Sequence, residues 1–489
     1  MTRTFFDITD IVHYVRLHSS ISGIQRAAAM IVAEVAARAQ ADHPVMLSFV
    51  DPNGGGHVCV PVESLLAPLT RFDTDQLRQA FGIRAKHDAS KPFAAYLERY
   101  TSNPLKYGFH SLRLRLAVWQ RDTRYLQRRG IDLEALGSDT AHQTTGQRVS
   151  TIPFRDVAEP GDRLCLLGAS WGKPKLDKAC QEANARGVQV IVMVHDLIPM
   201  KFPDMVEMNT TRFYYDWLSA TLAYCAGYMA NSRSTAADLR AFLGELGCDL
   251  PVSVTPLAQA PLAGPAQSIT LARNAPAAHV AVLQRARDAD ALSSAVREAC
   301  LTPFALCVGT VEPRKNLWRV ARAWQLLAQE PDLDLPRLVL AGKKGWLSDC
   351  FLLLLADIGC FGCLCVHLVR PSEAALDYLY LLCQFSVTAS LYEGWGLPIG
   401  EGLSYGKTGI VSKTSSMPEV GGDLVEYCDP TAMSDIARAC RRLISDPAHR
   451  RALEARIAAA TLRNWQDVGA DVAAVLADHT VSSSVSGTN

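Results

Sequence analysis

Short apolar runs alternate with longer amphipathic segments along most of the chain. A run of four to eight apolar residues is typical of a buried strand, and apolar residues at i, i+3, i+4 and i+7 are typical of one face of a helix. Their alternation predicts βα units around parallel sheets. The pattern occurs in two blocks, one before residue 260 and one from 303 to 450. The sequence therefore predicts an α/β protein with two Rossmann-like, doubly wound domains that face a central cleft.

The first block, residues 1–260, is predicted to contain five strands with helices between them. A helix is expected from Ile24, and Ser232 or Ser234 is expected to cap a later helix, because a serine side chain accepts hydrogen bonds from the first backbone amides. The five strands are expected at residues 4–11, 44–50, 163–167, 188–194 and 228–230. Ligands bind where the strands of such sheets end, so polar residues that follow a strand are the first candidates for a site.

The second block, residues 303–450, opens at Phe304 with the apolar run FALCVG, which has the composition of a buried strand. Residues 451–489 are expected to form a C-terminal helix and tail. Further strands are expected at residues 337–341, 364–369, 385–389 and 408–412. The helix after the first strand is predicted by apolar residues at helical spacing, namely Leu317, Val320, Ala321, Trp324, Leu327 and Ala328.

Two segments do not follow the βα pattern. Twelve of the 40 residues from 261 to 300 are alanine and three prolines fall in the first half of that stretch, so residues 261–302 are expected to link the two domains. Residues at about 51–160 exceed what a domain of this kind needs. They are expected to form an insertion in the first domain.

The formal net charge is zero, because the 489 residues include 49 Lys and Arg and 49 Asp and Glu. This balance argues against nucleic acid as a partner. Residues 84–129 depart from it, with eleven basic residues and three acidic ones. Phe109 and Leu112 alternate there with Arg113 and Arg115. The segment fits either a surface that contacts anionic membrane headgroups or a solvated helix whose charges pair elsewhere in the protein.

Asp7 and Asp10 interrupt the apolar N-terminal stretch, which therefore does not resemble a secretory signal. We expect a cytoplasmic protein, either free or peripheral at the inner face of the membrane. The fourteen cysteines are expected to be reduced apolar residues. Cys360, Cys363 and Cys365 fit core packing better than a zinc site, because a second C-x-x-C is missing.

Two carboxylates lie eight positions apart in the stretch LYEGWGLPIGE, at Glu393 and Glu401. Pro398 favours the first turn of a helix, while Gly394 and Gly396 let a ligand approach the backbone. Glu393 is therefore expected in the loop after a strand, and Glu401 early in the next helix. Because carboxylates accept hydrogen bonds, the pair can bind two sets of vicinal hydroxyls, such as those of a hexose and a ribose.

These residues resemble the E-x7-E motif of the retaining glycosyltransferases of family 4, which have the two-domain GT-B fold. The resemblance implies that Glu393 binds hydroxyls of the donor sugar and that Glu401 binds the ribose of the donor nucleotide. It places Gly394, Gly396 and Leu397 in the same donor site. The first domain is then the acceptor side, and the second domain binds the nucleotide sugar.

The stretch V-G-T-V-E-P-R-K-N follows the first strand of the second block and matches the loop with which the family binds the donor diphosphate. Lys315 matches the family's lysine, and Arg314 is the candidate for a second cation. Many members have Gly-Arg where this chain has Gly309-Thr310, so the identity of the phosphate arginine stays open. Lys343, in A-G-K-K-G-W, is either a further donor contact or part of a surface turn.

Two stretches of the first block extend the resemblance. His195, in IVMVHDLIP, matches the family's active-site histidine near the reacting centre, and Asp196 either orients its imidazole or caps the turn. In ISGIQR, Gly23 matches the glycine turn at which the backbone approaches the phosphates. Gln25 or Arg26 is then expected near the acceptor.

Other acidic residues leave alternatives open. Glu419, in TSSMPEVGG after the E-x7-E helix, either lines the nucleotide side or caps a helix. The two D-x-D triplets, at 288–290 and 332–334, lie in the linker and before a strand. Metal-dependent transferases of the other common fold need such a triplet at the end of a strand. Surface acids are therefore the better interpretation, and no catalytic metal is expected.

The resemblance implies a retaining hexosyltransferase that uses a nucleotide sugar as co-substrate and needs no other cofactor. The V-G-T-x-E-P-R-K-N variant is similar to bacterial mannosyltransferases of surface-polysaccharide pathways, which favours GDP-mannose as donor and a glycan or lipid-linked glycan as acceptor. Two other functions stay open. One is a sugar-nucleotide epimerase or a phosphorylase of the same fold, and the other is a non-catalytic partner that binds a nucleotide sugar or a glycan.

Overall fold

The computed structural model describes residues 2–18, 23–39, 43–83, 104–120, 122, 125, 148–260, 292–358 and 364–478. Their strands form one sheet of eight and one of six. The larger sheet contains β1 (Thr4–Asp7), β2 (Val45–Val50), β3 (His57–Pro61), β4 (Ile152–Pro153), β5 (Arg163–Leu166), β6 (Gln189–Val194), β7 (Cys225–Ala230) and β8 (Val252–Val254). The smaller sheet contains β9 (Phe304–Val308), β10 (Arg337–Ala341), β11 (Cys365–Leu368), β12 (Phe385–Thr388), β13 (Gly409–Ser412) and β14 (Glu426–Cys428).

The larger sheet organises the N-terminal domain and has the strand order β4-β3-β2-β1-β5-β6-β7-β8. In this order, all neighbouring strands from β2 to β8 pair in parallel. At the other edge, β3 pairs antiparallel with β2, and β4 pairs antiparallel with β3. Both edge strands lie inside the expected insertion at 51–160. The helices of this domain are α1 (Thr9–Leu17), α2 (Gly23–Ala36), α3 (Glu63–Thr70), α4 (Thr74–Ala80), α5 (Pro104–Trp119), α6 (Phe154–Val157), α7 (Pro174–Ala185), α8 (Ile198–Lys201), α9 (Thr210–Thr221) and α10 (Arg233–Glu245).

The smaller sheet organises the C-terminal domain and is wholly parallel, in the order β11-β10-β9-β12-β13-β14. The chain adds strands toward one edge of the sheet from β9 to β11 and toward the other edge from β12 to β14, so a switch point lies between β9 and β12. Ligands bind beyond the carboxyl ends of the strands at such a switch point. The helices of this part of the chain are α11 (Ser294–Ala299), α12 (Leu317–Leu327), α13 (Ser348–Ile358), α14 (Glu373–Leu382), α15 (Leu397–Ser404), α16 (Met417–Gly421), α17 (Met433–Ser445), α18 (Pro447–Ala459) and α19 (Trp465–Asp478).

The last helix, α19, returns to the N-terminal domain and joins its core. Trp465, Val468 and Val472 are buried there together with apolar residues of α2. Gly469 is required at this crossing, because a Cβ atom on it would lie 2.4 Å from the Cβ of Glu34. The chain therefore connects the two domains twice.

One expected strand was wrong in its extent. The strand expected at 4–11 ends at Asp7, and Ile8 and Ile11 are buried at the start of α1 instead. The carboxylate of Asp7 accepts hydrogen bonds from the backbone N and the side-chain hydroxyl of Thr9, both at 2.9 Å, and turns the chain into the helix. A short apolar run does not distinguish a strand from the buried face of a helix.

The segment expected to link the domains is partly described. Its end contains α11, from which Val296 and Ala299 pack beneath the smaller sheet. Residues 261–291 lie outside the described residues, as do Asp288, Asp290, Cys360 and Cys363 and most of the basic segment 84–129 apart from α5. The described cysteines form no disulfide. Within the described ranges, every helix is too short or too polar to cross a membrane.

Candidate active site

A buried carboxylate between two cations lies at the switch point of the C-terminal domain. Glu393 follows β12, and its Oε1 lies 2.6 Å from Nζ of Lys315 while its Oε2 lies 2.7 Å from Nη1 of Arg314. Burial alone would raise the pKa of Glu393, but Arg314 and Lys315 outweigh it and lower the pKa to about 2. We call these three residues the charge triplet. Glu393 is ionised at any physiological pH.

The backbone between β9 and α12 positions the two cations. Asn316 has a left-handed backbone (φ 58°) and ends the 3₁₀ turn that carries Arg314 and Lys315. The buried Nδ2 of Asn316 donates to the carbonyl oxygens of Ala389 and Pro430 at 2.9 and 2.8 Å. Because Ala389 directly follows β12, these hydrogen bonds hold the cationic turn against the strand that carries Glu393.

Arg314 is held by several acceptors and its direction is fixed. Its guanidinium also donates to Glu312 Oε1 at 2.6 Å and to the carbonyl oxygen of Tyr392 at 2.7 Å. Burial lowers the pKa of Arg314, but the neighbouring carboxylates of Glu393 and Glu312 raise it further, so the guanidinium stays charged. Gly309 lies beside this turn with φ 144°, and a Cβ there would meet Cε of Lys315 at 3.2 Å.

The second carboxylate of the E-x7-E motif lies on α15, at the acidic end of the cleft. Gly396 precedes the helix with a left-handed φ of 97°, and Pro398 occupies its first turn. Oε2 of Glu401 accepts a hydrogen bond from the hydroxyl of Tyr380 at 2.7 Å. Burial raises the pKa of Glu401. The ring of Tyr380 stacks on that of Tyr405, with 5.2 Å between the ring centroids.

His195 follows β6 of the N-terminal domain and faces the charge triplet across the cleft. Its Nε2 lies 2.7 Å from the carbonyl oxygen of Leu167, so this nitrogen carries the hydrogen and Nδ1 is left as an acceptor. Burial lowers the pKa of His195, which favours the neutral imidazole. Asp196 does not orient the ring: its Oδ1 accepts from the backbone N of Ile198 at 3.0 Å and caps the turn into α8.

The two domains touch beside His195. A Cβ atom on Gly394 would lie 2.0 Å from the carbonyl oxygen of His195, so only glycine allows this contact. The hydroxyl of Thr235 lies 3.3 Å from the carbonyl oxygen of His195 and 3.4 Å from that of Gly394. The motif glycine is therefore needed for contact between the domains as well as for ligand approach.

Glu419 caps a helix of the opposite domain. Its carboxylate oxygens accept from the backbone N atoms of Arg233 and Ser234, at 2.8 and 2.9 Å, at the start of α10. Ser232 is the N-cap of that helix, and its Oγ accepts from Thr235 N at 3.0 Å. The structure thus assigns capping to Glu419 and selects Ser232 over Ser234.

The cleft between the domains encloses about 470 Å³. Thirteen of the predicted site residues line it, namely Gly23, Arg26, His195, Asp196, Gly309, Thr310, Arg314, Lys315, Glu393, Gly394, Gly396, Leu397 and Glu401. Two predicted residues do not. Gln25 is buried and donates to Asp10 Oδ2 at 3.1 Å, and Lys343 is exposed outside the lining, in agreement with the surface-turn alternative.

Several residues of the cleft belong to no motif of the sequence and were not predicted. Tyr380, Asp377 and Glu373 lie on α14 and line it, and Glu373 forms an ion pair with Arg26 of the opposite domain. Their helix precedes β12 and carries no motif. Asp332 and Asp334 are exposed, as expected for surface acids. Among the residues that the structure describes, no group of three His, Cys, Asp or Glu side chains is arranged to hold a metal ion.

Two Rossmann-like domains whose polar strand ends meet at one cleft define the GT-B fold of glycosyltransferases. Solved structures agree across nearly the whole chain. Anabaena HepE in complex with UDP has a TM-score of 0.54 at 12% identity, and covers 98% of this chain and 100% of its own. Sucrose-phosphate synthase of Thermosynechococcus elongatus has a TM-score of 0.53 at 15% identity, with 97% and 98% covered.

Residues 295–459, in the C-terminal part of the chain, match the family model described as Glycosyl transferases group 1. The chain is 35% identical over 165 residues to O-antigen chain mannosyltransferase B of Escherichia coli, a match that covers 34% of this chain and 43% of the relative. It is 26% identical over 284 residues to the serotype-specific mannosyltransferase WbdA of Escherichia coli, covering 54% and 31%. These matches span less than half the length of either relative.

The charge triplet predicts a pH-dependent stability. Since the pKa of Glu393 is lowered to about 2, its contribution is full above the ordinary pKa of a glutamate and declines as the pH falls from there toward 2. Glu393→Gln should lower the free energy of unfolding by about 3 kcal/mol at pH 7, and by about 1 kcal/mol less at pH 3.5. Urea unfolding at a series of pH values measures both differences.

Glu401→Gln is the matched control, because the charge of Glu401 has the opposite effect on the free energy of unfolding. Burial raises the pKa of Glu401, so its charge opposes folding at neutral pH and this cost disappears on acidification. The control variant should be at least as stable as the unaltered chain at pH 7. An effect of Glu393→Gln that does not change between pH 7 and pH 3.5 would contradict the ionic role of Glu393.

Proposed function

We propose that the protein is a retaining glycosyltransferase that moves a hexose from a nucleotide sugar to a glycan or a lipid-linked glycan. One observation carries the proposal: the charge triplet of Glu393, Arg314 and Lys315 lies at the switch point of the sheet and lines the same cleft as His195. This arrangement supplies fixed positive charge and a hydrogen-bond acceptor within one small volume. A nucleotide sugar needs both.

The two cations suit the leaving group. A nucleoside diphosphate gains negative charge as the glycosidic bond breaks, and positive groups fixed in a site of low dielectric constant stabilise that charge in the transition state. Lys315 and Arg314 are largely buried, and the hydrogen bonds of Asn316 fix the turn that carries them. In this proposal the cleft is prepared for a diphosphate before the donor binds.

The opposite wall suits the transferred sugar. Glu393 stays ionised and accepts hydrogen bonds from sugar hydroxyls, while the neutral His195 presents Nδ1 toward the reacting centre. We propose attack from the face that the diphosphate leaves, with the departing phosphate oxygen taking the proton of the acceptor hydroxyl. Gly394 and His195 bring the two domains into contact beside the site. In this proposal closure of the domains excludes water, which would otherwise hydrolyse the donor.

The nucleotide is placed at the far end of the cleft. Glu401 accepts from Tyr380, and its remaining acceptor positions suit the two hydroxyls of a ribose. The two Escherichia coli relatives are named as mannosyltransferases, and one of them acts on O-antigen chains. We therefore propose mannose from GDP-mannose as the donor and synthesis of a bacterial surface polysaccharide, at the cytoplasmic face of the membrane, as the setting.

A transfer assay tests this function. The unaltered chain should transfer mannose from GDP-mannose to a mannosylated acceptor with retention at the anomeric carbon, which proton NMR of the product reports. Lys315→Ala should lower kcat/KM by about a hundredfold to a thousandfold, because a fixed positive group on the leaving diphosphate is lost. Lys343→Ala, at an exposed lysine outside the cleft lining, is the matched control and should leave kcat/KM nearly unchanged.

Three results would contradict the proposal. Equal rates for Lys315→Ala and the unaltered chain would show that the charge triplet is not the diphosphate site. An epimer or a sugar phosphate formed from the donor alone, without transfer, would favour the epimerase or the phosphorylase. Binding of the nucleotide sugar without any turnover would favour a non-catalytic partner.

We also propose that α5 contacts anionic lipid. Phe109, Leu112 and Leu116 follow one another at helical spacing and are 58%, 70% and 49% exposed, while Leu114 and Ala117 are buried on the other side. Arg113 and Arg115 are exposed on the same helix. An apolar stripe beside cationic side chains fits the boundary between headgroups and acyl chains.

Co-sedimentation with vesicles tests the lipid contact. Arg113→Glu with Arg115→Glu should reduce binding to phosphatidylcholine vesicles that contain phosphatidylserine, because headgroup attraction is lost. Leu112→Ser with Leu116→Ser should reduce it as well, and Leu301→Ser, at an exposed leucine elsewhere, should not. Equal binding of all variants, or equal binding to vesicles without phosphatidylserine, would overturn the proposal.

A further inference from the structure

Asn231 lies beside His195 on the wall of the cleft, and no motif points to it. The parallel register pairs Val194 of β6 with Ala230 of β7, so the residues that follow, His195 and Asn231, leave the sheet side by side. Neighbouring strands are about 4.8 Å apart. Both residues line the cleft.

The side chain of Asn231 is buried without a hydrogen-bond partner for its oxygen. The residue is 3% exposed, and among the described residues no donor reaches its Oδ1. Buried polar atoms are almost always paired, and one left unpaired costs about 1–3 kcal/mol. Asn231 is among the residues that line the cleft, and an acceptor there that lacks a protein partner is suited to a ligand donor.

The neighbours of Asn231 indicate which part of a ligand it meets. The cations for a diphosphate lie on the C-terminal domain at Arg314 and Lys315, and the ribose acceptor Glu401 lies on α15 of that domain. Asn231 instead lies beside His195, whose carbonyl oxygen is in contact with Gly394, the residue after Glu393. A neutral carboxamide at this place suits a sugar hydroxyl better than an anion.

We infer that Asn231 binds a hydroxyl of the transferred hexose and, together with Glu393 on the opposite wall, sets which hexose the cleft accepts. The inference rests on the proposed function. Hydroxyl groups donate one hydrogen bond each, so a hexose can serve the carboxylate and the carboxamide through two different hydroxyls. A hexose in which one of these two hydroxyls points in the other direction cannot donate hydrogen bonds to both Glu393 and Asn231.

Single-deoxy analogues of the nucleotide sugar that the unaltered chain uses provide the test. Asn231→Ala should lower kcat/KM for the full donor about tenfold, the effect of one lost hydrogen bond of this kind. One deoxy donor, which lacks the hydroxyl that Asn231 binds, should show no further loss in Asn231→Ala. Affinity for the nucleoside diphosphate alone, measured by calorimetry, should not change.

Ser48→Ala is the matched control, because Ser48 Oγ is also buried without a partner but lies on β2, outside the cleft lining. Neither substitution should lower the thermal unfolding midpoint of the free protein, since neither Asn231 Oδ1 nor Ser48 Oγ has a hydrogen bond to lose. A lowered midpoint for Asn231→Ala alone, together with weaker binding of the nucleoside diphosphate, would assign Asn231 a structural role and overturn the inference.

Two further results separate the inference from the function on which it rests. The inference would be overturned if every deoxy donor lowered kcat/KM by the same factor in Asn231→Ala as in the unaltered chain. It would also be overturned if Asn231→Ala changed only the KM for the acceptor. Either result would leave the proposed function standing. If the unaltered chain neither binds nor uses any nucleotide sugar, the proposed function falls, and the inference falls with it.

Discussion

The site depends on one electrostatic constraint: a carboxylate that leaves water must be compensated where it is buried. Glu393 is compensated by Lys315 and Arg314, which reach it from the loop after a neighbouring strand. Their approach requires the left-handed turn at Asn316, whose amide is anchored on Ala389, and the absence of a side chain at Gly309. Loops at two strand ends are thereby fixed to each other. The cations that compensate Glu393 are also the groups that a diphosphate needs.

The same region joins the two domains. Gly394, next to Glu393, lies against the carbonyl oxygen of His195, and Glu419 caps α10 of the N-terminal domain. Trp395 continues the contact, because its indole Nε1 donates to the carbonyl oxygen of Ala258 at 3.1 Å. The E-x7-E motif is therefore also an interdomain contact surface. In the proposed function, donor binding and the exclusion of water therefore depend on the same few residues.

Sequence patterns predicted most of the fold and much of the cleft, because both follow from local rules. Apolar runs located ten of the fourteen described strands, all except β3, β4, β8 and β14. Glycine and proline located the turn before Glu401. The start of α1 was not predictable, because the change from strand to helix is made by the carboxylate of Asp7. Gln25 was assigned to the acceptor by its place in a motif, yet it pairs with Asp10 inside the domain. Tyr380 and Asn231 reach the cleft through tertiary packing and strand register, which no local pattern encodes.

In the proposed site the cations hold the diphosphate while Glu393 holds the sugar, and calorimetric titration of two variants with GDP and GDP-mannose separates these two roles. Lys315→Ala should weaken the binding of both ligands. Glu393→Ala should leave GDP binding intact, or strengthen it by freeing the cations, and should remove any additional affinity that the mannose provides. Equal weakening of GDP binding by both substitutions, or no effect of either, would contradict this division of roles.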